Sequence, residues 1–185
     1  LTTTILVLVG SLREGSINAQ LAEVVLENTP DGVRGIIFDA LAQLPFYNED
    51  IDDDAVRPPS VDGLRAAASG AEAILLVSPE YNGSMPAVLK NAVDWLSRPF
   101  GSAVVSGLPA AVVGAAFGQG GGVWAHDEAR RCLGVAGAEV LEDARLSIGA
   151  SVTRFASLHP RDDAEGVAAV RGILAALVAA VPVLA

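Results

Sequence analysis

Five short apolar runs, each followed by a stretch of helical spacing, constrain this chain more than any other feature, because such alternation builds parallel strands joined by crossover helices. The strand candidates are residues 4–9, 33–39, 73–78, 110–117 and 139–146. The middle three of these are apolar enough to be covered on both faces. Helices are expected over 17–28, 61–69, 86–97, 122–133 and 162–181. Ser16 and Ser60 suit N-caps, Pro86 a first helical turn and Gly134 a C-terminal stop. The class is therefore α/β, and a chain of 185 residues is read as one compact domain spanning 1–185.

Charge narrows the partners. Twelve basic against twenty-two acidic residues leave a net charge of −10, which repels nucleic acid and anionic lipid over most of the surface. An anionic ligand must then be captured by a local cluster of donors. The single cysteine, Cys132, excludes an internal disulfide and fits a reducing, cytoplasmic setting. The apolar run 5–9 is too short for a leader or a membrane span, and the Ala-rich stretch 167–184 carries Arg171, so no membrane helix is expected. The acidic run Glu49, Asp50, Asp52, Asp53 and Asp54 lacks the glycine and terminal glutamate of a calcium loop and reads as solvated. His126 and His159 stand apart from other ligand types, so no metal site is expected. Neither has a strand-end partner that would suggest a Ser-His-Asp arrangement. Cys132 reads as a small core residue.

Ligands of open parallel sheets sit at the carboxyl ends of the strands, where the strand order reverses. The first such loop is Gly10-Ser11-Leu12-Arg13-Glu14-Gly15-Ser16-Ile17-Asn18. Its glycines can turn backbone N–H groups toward a ligand, Ser11 and Ser16 offer hydroxyls, Asn18 an amide and Arg13 a planar fork, all at a helix N-terminus. No Walker lysine and no G-x-G-x-x-G spacing follows, which leaves a terminal phosphate as ligand, or a plain capped turn. After the third strand, Ser78-Pro79-Glu80-Tyr81-Asn82-Gly83-Ser84-Met85-Pro86 is a loop stiffened by two prolines, with Tyr81 able to lie against a flat ring. A ligand with a phosphate at one end and a planar heterocycle at the other satisfies both loops, and FMN has that shape. The longest irregular segment, 40–60, holds three prolines and is of a length that is usually functional or mobile.

Three motifs, G-S-L-R-x-G-S-x-N at 10–18, L-P-F-Y-N-E-D at 44–50 and P-E-Y-N-G-S-M-P-A-x-L-K-N-A-x-D-W at 79–95, resemble the NAD(P)H-dependent FMN reductases, a family that includes quinone, chromate and azo-dye reductases. The resemblance implies a flavodoxin-like three-layer sandwich around a five-stranded parallel sheet of order 2-1-3-4-5. It implies FMN as cofactor, with the phosphate on Ser11, Arg13, Ser16, Ile17 and Asn18 and the ring against Pro79, Glu80, Tyr81, Asn82 and Gly83. NAD(P)H would be the co-substrate, hydride would pass to the flavin, and a small acceptor such as a quinone, flavin, azo compound or chromate would follow by ping-pong turnover. A homodimer or homotetramer is implied as well, with the helix at 86–97 at a subunit contact. Trp95 reads either as an interface anchor or as a core residue. The third strand-end loop departs from the family pattern. Phe117, Gly118 and Gln119 open a glycine run, with Gln119 as the only polar side chain for a pyrimidine edge. This loop could contact the flavin, form a flexible lid, or be an idle surface turn. The rival readings are an electron-carrier flavodoxin, against which Arg13 and the lack of paired aromatics argue, and a flavin-binding protein without turnover.

Overall fold

A computed structural model describes residues 2–182. Five strands, β1 (Thr3–Val9), β2 (Val33–Ile37), β3 (Ala73–Val77), β4 (Pro109–Ala115) and β5 (Glu139–Ile148), form one sheet of order β2-β1-β3-β4-β5 with every neighbour parallel. The helices are α1 (Ile17–Glu27), α2 (Pro59–Ser69), α3 (Ala87–Leu96), α4 (Val123–Ala136), α5 (Ser151–Arg154) and α6 (Ala164–Ala180). Alternate strand residues face opposite layers. Leu6, Leu8, Ile74, Leu76 and Val112 pack under α2, α3 and α4. Ile5, Val7, Leu75, Val77 and Val113 pack under α1 and α6. The sheet is thus covered on both faces, as a parallel sheet must be.

Several expected boundaries move for identifiable reasons. β1, not β2, joins β3 and β4 as a buried strand, open only at its two end residues, because β2 lies at the sheet edge and keeps partial exposure. Ser60 is not an N-cap: α2 starts two residues earlier than expected, at Pro59 behind Pro58, and the Ser60 hydroxyl donates instead to the Gln43 carbonyl at 3.1 Å. Pro86 is itself the N-cap of α3. α4 runs through Gly134 and stops at Gly137, which adopts the left-handed conformation at φ 105°. The expected final helix is preceded by a separate 3-10 turn at Pro160–Asp162, and α5 was not foreseen. Leu184, the far end of the Ala-rich stretch, lies outside the described residues. Among the described residues no helix is long and apolar enough to cross a membrane.

The irregular segment between β2 and α2 is tied down. The Asn91 amide of α3 accepts from Tyr47 N at 2.8 Å and donates to the Pro45 carbonyl at 2.9 Å, and Trp95 Nε1 donates to the same carbonyl at 2.8 Å. Trp95 is fully buried and meets the Tyr47 ring edge-on at 4.9 Å, so it is a core residue rather than an interface anchor. These contacts explain why the L-P-F-Y-N and K-N-A-x-D-W motifs occur together: one is the socket of the other.

Part of the acidic run in this segment is not simply solvated. Asp52 takes a bidentate contact from Arg65 at 2.6 and 2.8 Å and a further bond from Arg57 at 3.1 Å. Hydrogen bonding from the Arg65 guanidinium, ahead of the opposing effect of burial, holds its carboxyl below the usual aspartate range. A carboxyl depressed by folding stabilises the fold above its unfolded pKa of about 3.9, and that contribution disappears as pH falls through the lower folded value. Asp52→Asn should therefore lower the urea midpoint at pH 7 and narrow the gap to the parent at pH 3; an equal gap at both pH values would reject the assignment.

Candidate functional site

All five strands end at the same edge, and backbone bonds just past the ladder bring their loops together. Gly10 N donates to Val77 O at 2.9 Å, Ser78 N to Val113 O at 2.8 Å and Ala116 N to Ile148 O at 3.0 Å.

In the first loop, Ser16 caps α1 by accepting from Ala19 N at 3.1 Å, while Gln20 N closes on Ser16 O at 2.9 Å. The N–H groups of Ile17 and Asn18 remain as the open donors of the helix N-terminus. Arg13 is exposed and makes no ion pair among the described residues; its one bond, to the Glu14 carbonyl, is 3.5 Å long. A cavity of about 290 Å³ beside this loop is lined by Ser11, Leu12, Arg13 and Asp39, among others. One expectation is corrected. The Asn18 amide does not face the loop: it is buried, donating to the Ala115 carbonyl and accepting from the Ala115 N–H, both at 2.9 Å. Asn18 has only its backbone N–H to offer an anion.

In the second loop, Tyr81-Asn82-Gly83-Ser84 forms a tight two-residue turn. Tyr81 and Ser84 exchange both backbone bonds, at 3.0 and 3.1 Å, and Asn82 and Gly83 have φ of 55° and 77°. Two consecutive left-handed residues make a type I′ turn, which Asn-Gly adopts at least cost. Tyr81 stands half exposed above it, and Trp124 of α4 lies against Gly83. The Glu80 carboxylate accepts from Ala125 N at 3.2 Å, capping α4 from a distant loop. The Glu128 carboxylate accepts from the Ser84 hydroxyl at 2.5 Å and from Met85 N at 2.9 Å, which holds its pKa down. Glu80 is thus oriented by α4, with its side chain engaged there.

The third loop is tied to its neighbour, which argues against a freely moving lid. Ala150 N donates to Gly118 O and Ser151 N to Ala116 O, each at 3.1 Å, so its backbone is fastened to the segment after β5. Phe117, Gly118 and Gln119 are exposed at its tip. A cavity of about 260 Å³ between this run and the second loop is lined by Glu80, Gly118, Gly120, Gly121, Gly122, Val123 and Trp124.

Sequence reasoning missed three residues of α4. Glu128 and Trp124 were passed over, and His126 does have a strand-end partner, described below. Cys132 is only partly buried, at a groove between α3 and α4, and burial pushes its thiol pKa up. Arg130 is buried and donates to the Val112 carbonyl at 2.9 Å, where an irregularity in β5 breaks the regular pairing with β4.

The residues present fit FMN. Open N–H donors and an unpaired guanidinium sit at one strand end, and a stiff turn with an upright aromatic sits at the neighbouring one. A family model described as NADPH-dependent FMN reductase matches residues 3–153. The chain belongs to that family. The 2-hydroxy-1,4-benzoquinone reductase of Burkholderia sp is 40% identical over 126 residues, 68% of this chain and 67% of the relative. The quinone reductase of Escherichia coli K12 is 32% identical over 129 residues, 70% of this chain and 68% of the relative. Among solved structures, the flavoenzyme NAD(P)H:(acceptor) oxidoreductase FerB of Paracoccus denitrificans superposes with a TM-score of 0.83 at 29% identity, over 97% of each chain. A Pseudomonas aeruginosa flavodoxin, at 20% identity and a TM-score of 0.59 over 97% of this chain and 99% of its own, shares the fold. As an FMN reductase the chain is an oxidoreductase that works with FMN and NAD(P)H.

Proposed function

We propose that the strand-end loops hold FMN and that the enzyme passes electrons from NAD(P)H to a small, flat organic acceptor of the quinone class. In this reading Ser11, Arg13, Ser16 and the N–H groups of Ile17 and Asn18 hold the phosphate. Pro79, Glu80, Tyr81, Asn82 and Gly83 hold the ring, with Phe117, Gly118 and Gln119 at its far rim. The observation that carries it is the pairing, at adjacent strand ends, of uncommitted phosphate donors with a rigid turn.

When bound, FMN supplies the hydride acceptor and the store of two electrons. The protein's part is placement. Glu80 and Glu128 are engaged as backbone acceptors, and Asp127, the other carboxylate of α4, is paired with Arg130 and Arg145, so no side chain is assigned as acid or base. Tyr81, Phe117 and Trp124 leave an aromatic rim exposed, suited to one planar substrate at a time. NAD(P)⁺ must then leave before the acceptor enters, which is ping-pong turnover. The relatives named as quinone reductases and the net charge of −10, unfavourable to metal oxyanions, both favour a quinone over chromate.

Mixing the protein with FMN and NADPH without oxygen should bleach the flavin band at about 450 nm, and a benzoquinone should restore it. Bleaching only through a partner enzyme would mark an electron carrier, and binding without bleaching a non-catalytic flavin protein. We also propose a cytoplasmic homodimer or homotetramer, supported by the exposed apolar side chains of Phe100 and Val135 beside the groove between α3 and α4. Gel filtration should place the holoprotein above its 18.9 kDa monomer mass; a fully active monomer would contradict the assembly.

A further inference from the structure

We infer that His126 is a positioning residue for the flavin ring, acting through the Ser78 carbonyl that launches the Pro79–Gly83 turn. The inference rests on the assignment of that turn to the ring. His126 lies in the second turn of α4 and is fully buried. Its Nε2 is 2.8 Å from the Ser78 carbonyl and its Nδ1 is 2.7 Å from the Ser147 hydroxyl. A carbonyl only accepts, so Nε2 carries the hydrogen; in the neutral ring Nδ1 then accepts from Ser147. Burial, the largest influence, lowers the pKa of the imidazole and so favours that neutral form.

The Ser78 carbonyl belongs to the peptide that joins Pro79. The Ser78 N–H, on the preceding peptide, is bonded to β4, and the Ser78 hydroxyl donates to the Pro79 carbonyl at 2.8 Å. Because the proline ring fixes the next φ, the tilt of the peptide joining Ser78 to Pro79 sets the direction in which Pro79, Glu80 and Tyr81 leave the sheet. α4 controls that direction at three points: Ala125 N on Glu80, Glu128 on Ser84 and Met85, and His126 on Ser78. Only His126 among the three also reaches β5, through Ser147. It therefore sets the second loop relative to the strand end on which the glycine-rich loop is fastened.

The test titrates apoprotein with FMN and with riboflavin, which has the ring but no phosphate, and records the dissociation constant and the visible band of each complex. His126→Leu should weaken both flavins by the same factor, about tenfold, and shift the band. His126→Gln, which keeps a donor within reach of Ser78, should return both constants to within about threefold of the parent. Ser147→Ala, at an exposed position, should fold and weaken both flavins by about threefold, and it decides the matter if His126→Leu does not fold. Folded variants with lower melting temperature but unchanged ring affinity and band would overturn the inference, leaving His126 a core residue only. So would His126→Gln behaving as His126→Leu does. A parent protein that ignores both flavins would overturn the ring assignment itself, and this role with it.

Discussion

Gly114→Ala is expected to be among the most damaging single-methyl changes in this protein. Gly114 lies in β4, a strand buried throughout. A Cβ there would stand 1.9 Å from the Ser78 carbonyl oxygen and 2.7 Å from His126 Nε2. Neither neighbour can retreat: the carbonyl belongs to backbone held by Val113, and the imidazole is wedged between β3 and β5. Overpacking against backbone in a filled core costs about 3 kcal/mol or more, and for a chain of this size each kcal/mol lowers Tm by roughly 2–4 °C. Thermal unfolding of the apoprotein should thus fall by on the order of 10 °C. Gly63→Ala is the control. It sits in α2, where a Cβ would meet only Phe38, at 3.8 Å, and it should leave Tm unchanged or raise it slightly. Equal behaviour of the two variants would show that β4 does not approach Ser78 as closely as described.

Arg13→Ala should have the largest effect on cofactor affinity while leaving the fold untouched, because the guanidinium supports no other contact of consequence. Losing a charge-assisted, bidentate partner of a phosphate weakens binding by about 1.5–3 kcal/mol, roughly ten- to a hundredfold in Kd. Riboflavin, without the phosphate, should bind parent and variant alike. Fluorescence titration with both flavins checks this; an equal loss for both would move the phosphate away from this loop.

The strands were legible because their apolar residues lie in short continuous runs between glycines and prolines, and the strand order followed from the family motifs. Helix ends were less so. Gly134 and Gly137 look alike in sequence, but only the second takes the left-handed conformation that ends α4. The first two loops stood out as candidates through local chemistry, and the structure bears out the cap at Ser16 and the tight turn at Asn82-Gly83. What stayed hidden depends on partners far away along the chain. Asn18 reads as a loop amide until Ala115, 97 positions on, takes both of its bonds. Glu128 and His126 read as ordinary helix residues until Ser84 and Ser78, 44 and 48 positions back, are seen beside them. The glycine run looked loose because glycine signals freedom, whereas at Gly121 it allows close packing against the Ser147 backbone.

The reciprocal pairing of Asn18 with Ala115 welds the first turn of α1 to the end of β4, while α4 pins the neighbouring hairpin to the same sheet. The two loops proposed to grip the cofactor are therefore mounted on one rigid frame, and on that reading the gap between them acts as a ruler. Flavin analogues whose sugar-alcohol tether is shortened or lengthened should fail to seat both ends at once, even though each end alone is unaltered.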